Sequence, residues 1–287
     1  MLNKLMYYSA KLIRTPSIRR TIAIYLSRLA PSAPKSITDA KSEIMVAELR
    51  TRGFSLLPYT IDAATIKSIK KQLQDLPCYD IRDPKVVTIG VENSKLANKK
   101  MRFLSNEIAN VAEVLDIANN RTLIQTISSY LGCMPTITSI ECWWSGAQTN
   151  ETKTFFKDDL YHRDAEDFKF IKLFVYLTDV DFDSGPHMFI PETHLSDFLV
   201  RRGTIEDEEI EKFYPNHSPL VITGKAGTAF LEDTWGIHRA TPLQKGCRLM
   251  LAITYGITGF NVQSPKEPYV PKRHDLNSHI NRKYVRT

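Results

Sequence analysis

Apolar positions recur every three to four residues in the first half of the chain and every two residues in the second, so helices precede strands. Residues 1–30 fit two short amphipathic helices. The second opens at Thr15-Pro16, a hydroxyl able to cap followed by proline at the first helical position. Ile18, Ile22, Leu26 and Leu29 then share one face, with Arg19, Arg20 and Arg28 off it. Residues 31–34, with proline at both ends, read as a linker. Helical periodicity returns over 39–52 and stops at Gly53, where a glycine C-terminus is favoured. Residues 54–57 form a short strand ended by Pro58, 60–76 a further helix, and 106–131 a third helical stretch. Residues 79–105 have no clear period.

After Gly132 the pattern is that of strands: around Ile137, Ile140 and Cys142 to Trp144, then 168–177, 187–190, 220–223, 227–231 and 248–255. The 168–177 run is the strongest, alternating at first and then fully apolar. Residues 195–219, with an acidic run from Glu206 to Glu211, interrupt the series as a helical insertion near one mouth of a barrel. Short strands after a helical half predict an α+β fold, a β sandwich or barrel with helices packed outside. There is no internal repeat, no G-x-G-x-x-G and no phosphate-binding loop, so nucleotide-binding folds have no support.

Composition narrows the class. The 287 residues are 43% hydrophobic and 24% charged, enough apolar material for a core and too little polar bias for disorder. No apolar run approaches the roughly 18 residues a spanning helix needs. The four cysteines (Cys78, Cys133, Cys142, Cys247) lie far apart, against a thiolate zinc site or disulfide framework and in favour of a reducing, cytoplasmic setting. Charge is uneven: residues 1–38 carry seven basic side chains and no acid, and 265–287 carry a net +4. Subtracting both from the total of +6 leaves −5 on 39–264, so the body is not expected to bind nucleic acid. The expected organisation is a basic extension (1–38), one domain (39–264) and a basic tail (265–287). Three readings fit residues 1–30: packing on the domain with solvated charges, peripheral contact with an anionic membrane, or a transit peptide.

One spacing carries chemistry. His162-Arg163-Asp164 sets an imidazole and a carboxylate two residues apart, on the same side of an extended chain. Two histidines and a carboxylate on one face are the ligand set of non-haem Fe(II) oxygenases, which leave positions open for co-substrate and dioxygen. His238, just past the strand at 227–231 in a turn-rich passage, is the best third ligand. A lone H-x-D also fits a hydrogen-bonded pair at a strand end. Arg248 opens an otherwise apolar strand and needs an anion, either a surface acid or the far carboxylate of a dicarboxylic co-substrate.

With these residues the sequence resembles the Fe(II)/2-oxoglutarate-dependent dioxygenases, specifically the phytanoyl-CoA dioxygenase-like branch. The likeness extends to Phe174 through Val180, to Ser184-Gly185-Pro186, to Ile190-Pro191-Glu192-Thr193-His194 and to the early strand from Gly53 to Pro58, covering about 40–260. Glu192 stands where the family usually has glycine, and the 195–219 insertion does not align. The resemblance implies a double-stranded β-helix (jelly-roll, cupin-like) core, with His162, Asp164 and His238 on Fe(II). It also implies Arg248 on the distal carboxylate of 2-oxoglutarate and Thr241 as a hydroxyl partner for that carboxylate. The implied reaction consumes 2-oxoglutarate and O2, releases succinate and CO2, and hydroxylates a C–H bond. Family members that halogenate lack the carboxylate ligand, so Asp164 favours hydroxylation.

Substrate contacts are less determined. Trp143 and Trp144 fit a pocket wall or a core pair; His187 faces the site or is structural, and His194 braces its loop or faces the site. Lys95, Lys99, Lys100 and Arg102 form a basic cluster suited to an anionic group of a small or lipid-linked substrate, or a solvated loop. The rival readings are a cupin-like metalloenzyme that does not use 2-oxoglutarate and a non-catalytic binding protein on the same fold.

Overall fold

The computed structural model describes residues 2–33, 39–91, 95–148, 156–260 and 273–285. Residues 34–38 of the expected linker and extension and residues 265–272 and 286–287 of the expected tail lie outside them. Helices α1 (Leu2–Leu12), α2 (Pro16–Leu29) and α3 (Ala40–Arg52) lead into strand β1 (Phe54–Leu56) and helix α4 (Ala63–Leu73). Strands β2 (Cys78–Asp80), β3 (Asp83–Thr88) and β4 (Lys100–Phe103) precede three helices, α5 (Ser105–Ala109), α6 (Ala112–Ala118) and α7 (Arg121–Leu131). Then follow β5 (Thr136–Gly146), β6 (Phe170–Tyr176), β7 (His187–Phe189), α8 (Asp207–Phe213), β8 (Leu220–Ile222), β9 (Ala229–Glu232), β10 (His238–Ala240), β11 (Cys247–Gly256) and α9 (Ser278–Asn281).

The strands form two antiparallel sheets, one of eight strands in the order β1-β9-β6-β11-β5-β4-β2-β3 and one of three in the order β10-β7-β8. Phe174, Tyr176, Phe230 and Met250 of the large sheet pack with Phe189 and Ile222 of the small one, so the two face each other as an open sandwich of jelly-roll type. The opposite face of the large sheet carries Leu173, Val175, Leu231, Leu249, Leu251 and Ile253 and meets the helices through Leu49, Ile69, Leu115 and Ile127. Every residue of β6 is buried, which is why its apolar run is nearly continuous.

Several local expectations need correction. The helix expected over 60–76 is shorter, because the Asp62 carboxylate accepts from Thr65 N–H (2.9 Å) and starts it there. The stretch 106–131 is three helices, broken first at Asn110–Val111 and then at Asn119–Asn120, where Asn120 caps Leu123 N–H, as amide side chains do when they compete with the helix backbone. The aperiodic 79–105 region contains β2, β3 and β4, short and charged strands at one side of the large sheet. Thr15 is extended as a cap residue must be, but its hydroxyl makes no capping bond. The insertion does contain a helix, α8, whose Ile210 packs with Tyr161, Ile190 and Ile237 beside the small sheet.

The apolar face of α2 is only half covered: Ile22 and Leu26 pack against the core. Pro16, Arg19 and Ala23 are the buried residues, whereas Ile18 and Leu29 are exposed. The Arg19 guanidinium donates to the carbonyls of Ala10, Ile13 (3.0 Å) and Asp167 and lies 4.0 Å from the Trp235 ring centroid. Arg14 donates to the Val200 and Arg201 carbonyls, both at 2.7 Å. The segment thus packs on the body through Arg14 and Arg19 together with the partly buried Ile22 and Leu26, half of the aliphatic stripe.

Candidate metal centre

Backbone pairing brings the two distant histidines together. His162 N–H donates to His238 O (3.0 Å) and His238 N–H to His162 O (3.1 Å), a reciprocal antiparallel pair. Residues so opposed project their side chains to one side, and the ring centroids are 4.3 Å apart. Asp164, two residues on, projects to the same side, and its N–H is fixed on Thr234 O at 2.8 Å. One ligand-type atom from each of His162, Asp164 and His238 lies within 4.8 Å of the others. Small rotations would bring such a set to the roughly 3–4 Å spanned by donors about 2.1 Å from one ion.

The tautomers follow from the neighbours. His162 Nδ1 is 2.8 Å from Leu160 O and His238 Nδ1 is 3.0 Å from Gly236 O. A carbonyl only accepts, so each Nδ1 carries the hydrogen and each Nε2 lone pair is free for a metal. The Nε2 atoms face Asp164, at 3.9 Å from His162 and 3.5 Å from His238. Burial, helped by the neighbouring His238, pushes the His162 imidazole down to about 4. Burial alone would raise the Asp164 carboxyl, but Lys172 and the two rings outweigh it and hold it well below the usual carboxylate range. A neutral imidazole and an ionised carboxylate are the forms that bind metal.

Three supports around this trio are not evident in the motif itself. Lys172 of β6 reaches Asp164 Oδ2 and Glu166 Oε1, each at 2.8 Å. Arg163, between the two ligand-type residues, donates to the carbonyls of Thr193 (2.8 Å), Phe198 (3.0 Å), Leu199 (3.0 Å) and Trp235. It thereby ties the His162–Asp164 segment to the turn before His238. Glu232, fully buried at the end of β9, lies 2.9 Å from His187 Nε2 without the alignment of a hydrogen bond and 3.9 Å from His238 Nδ1. The available signals were Lys172 inside the apolar 170–177 run and Glu232 closing another.

The trio opens into a cavity of about 190 Å³ between the sheets. Arg248 lines it, 1% exposed, with Nε and Nη1 lacking any hydrogen-bond partner. A buried guanidinium in that state is costly unless an anion completes it. This orphan is the observation that fits a bound carboxylate. Thr241 does not line the cavity; its hydroxyl donates to Pro186 O at 2.6 Å. Strand alternation sorts the other expected residues. Trp143 lines the cavity with its indole N–H unpartnered, while Trp144 faces the helix-side core. Lys100 and Arg102 point inward, the first paired with Asp158 and the second with Glu141 at 2.9 Å. Lys95 and Lys99 are exposed and do not line the cavity. His187 lines it, its ring 4.8 Å from Phe174 and 5.6 Å from His238. His194 lies elsewhere, in a cleft beneath α2.

The model of the family described as phytanoyl-CoA dioxygenase matches residues 49–247. No curated protein sequence gives a significant match. Among solved structures, the chain is similar to EctD from S. alaskensis with 2-oxoglutarate and 5-hydroxyectoine (TM-score 0.56, 14% identity, 90% of this chain and 92% of that one). It is similar also to HygX from Streptomyces hygroscopicus with nickel, 2-oxoglutarate and hygromycin B (0.53, 16%, 87% and 96%). A third likeness is to the non-haem alpha-ketoglutarate-dependent epimerase SnoN from nogalamycin biosynthesis (0.55, 16%, 75% and 83%). At these identities the likeness is one of fold.

Proposed function

The chain belongs to the phytanoyl-CoA dioxygenase family, and from that premise we propose that it is an Fe(II)- and 2-oxoglutarate-dependent oxygenase that hydroxylates a C–H bond of a small, charged substrate. His162, Asp164 and His238 would hold the iron. Bound Fe(II), with 2-oxoglutarate and O2, supplies the oxidising power and yields succinate and CO2. The observation that carries the reading is the buried, incompletely bonded Arg248 on the same cavity as the trio. A planar, permanently charged fork suits the distal carboxylate of 2-oxoglutarate.

The chain's own residues supply binding and order. Lys172 keeps Asp164 ionised and fixed, which leaves its oxygens directed at the histidines. Phe174, Met250 and Trp143 wall the cavity and limit water. Lys100, Arg102 and the unpartnered Trp143 N–H offer donors to an anionic substrate group, although both cations also have acidic neighbours in Asp158 and Glu141. A cavity of about 190 Å³ with this many charges supports a small polar substrate over a long acyl chain. Residues 39–264 would form the catalytic domain.

The test is anaerobic addition of Fe(II) followed by 2-oxoglutarate. A weak visible charge-transfer band is expected, and screening amino-acid, sugar, sterol and acyl compounds for stimulated succinate release then finds the substrate class. Stoichiometric metal without the band would favour a metalloenzyme that does not use 2-oxoglutarate; no metal uptake at all would favour a binding protein.

A further inference from the structure

Helix α2 packs Ile22 and Leu26 partly against the core but leaves much of its apolar surface outward. Its buried face is Pro16, Arg19 and Ala23, while Ile18 (48% exposed), Ile24 (56%), Tyr25 (64%) and Leu29 (68%) face solvent. Apolar residues left outward on an amphipathic helix mark a surface that something covers. The neighbouring surface has the same character. Arg14 and Lys11 are joined by hydrogen bonds to the 200–202 loop, and Arg20 approaches Asp197 at 3.8 Å. The segment 195–202 adds exposed Leu195 and Phe198 and the cations Arg201 and Arg202. Asp197 is the acid beside Arg20, and Glu209 is taken up by Arg201.

Beneath α2 lies a cleft of about 320 Å³, separate from the metal cavity. Ile24 and Leu195 stand in its wall, with Arg20, Arg50 and Lys169 around it. The Asp233 carboxylate there is already engaged by Tyr130 O–H and Trp235 N–H. Arg50 and Lys169 donate to the carbonyls of Ser129 and Tyr130, not to acids, so the cleft keeps a net positive charge. His194, 8% exposed, lines the same cleft with neither ring nitrogen hydrogen-bonded.

We propose that this face seats on an anionic phospholipid bilayer, with the apolar side chains of α2 and of the 195–202 loop in the interface and the cleft taking a lipid's anionic headgroup. Charge complementarity selects the occupant. Residues 2–33 contain basic side chains and no acid, so two copies would repel face to face, whereas an anionic surface attracts them.

The experiment is co-sedimentation of the full chain with phosphatidylcholine vesicles, with and without phosphatidylglycerol, at low and high salt. Binding is expected with phosphatidylglycerol and weakened by salt. Arg20→Glu with Arg50→Glu, and separately Ile24→Glu with Tyr25→Glu, alter exposed residues and should each weaken binding by about tenfold or more while leaving the thermal midpoint unchanged. Equal binding to pure phosphatidylcholine, or unchanged binding by both pairs of variants, overturns the proposal. So does binding of soluble dodecyl phosphate without binding to vesicles, which would make the cleft a site for a free amphiphile. A dimer broken by Ile24→Glu with Tyr25→Glu, with no vesicle binding, would assign the face to self-association instead.

Discussion

Two buried cations show how differently the interior and the outer layer of this molecule are built. Lys172, 8% exposed between the sheets, is neutralised by the carboxylates of Asp164 and Glu166. Arg19, 3% exposed under α2, bonds to main-chain carbonyls of Ala10, Ile13 and Asp167 and stacks on Trp235. Carbonyls satisfy a guanidinium's hydrogen bonds without cancelling its charge. Beside the metal-type trio Lys172 is thus balanced by carboxylates, with Arg248 the cation left for a ligand, whereas the N-terminal layer leaves a positive field and an outward apolar face. Buried charge alone says little about a region; the kind of partner tells whether the charge is used up or still available.

The largest effect that would break the comparison is at the trio. His238→Ala should abolish stoichiometric Fe(II) binding and turnover, and retained tight Fe(II) binding measured by anaerobic titration would remove the centre from the sandwich. Arg248→Ala should weaken 2-oxoglutarate roughly thirtyfold or more, given about 2–5 kcal/mol for truncating one partner of a buried charge-assisted pair. An unchanged affinity for 2-oxoglutarate would assign its carboxylate to another donor.

The two cations then give the direct contrast in urea unfolding. Lys172→Met strands two partly buried carboxylates and should cost about 3 kcal/mol or somewhat more. Arg19→Met leaves carbonyls without donors and should cost less, about 1–3 kcal/mol; Arg19→Lys should recover only part, since a compact ammonium cannot span the carbonyls that the two guanidinium NH2 groups reach. If the two methionine variants ranked the other way, the distinction between carboxylate and carbonyl partners would fail. The smallest effect is Arg20→Glu, within about 0.5 kcal/mol of the parent because the side chain is exposed; a larger loss would mean that the outer layer is held by that residue.

Much was readable from the chain itself. The switch from helical to alternating periodicity gave helices before strands, and the i, i+2 spacing of His162 and Asp164 placed both on one side of an extended segment because that period is local. Arg248 stood out as a cation at the head of an apolar strand. The strands at 78–103 were hidden because they are only three to six residues long and carry charged residues such as Lys100 and Arg102 that turn inward to acidic partners, so no apolar alternation marks them.

What the sequence determined by itself, then, was the set of chemical groups, their local facing and the class of fold, since these depend on neighbours a few residues away. Tertiary structure alone decided that residues 162 and 238 pair backbone to backbone, that Lys172 falls against Asp164, that Lys100 and Arg102 turn inward while Lys99 does not, and that Arg19 rather than Ile18 is buried. Each of those outcomes depends on a partner distant along the chain. For Arg19, four nearby carbonyls and an indole outweighed the preference of aliphatic side chains for the interior.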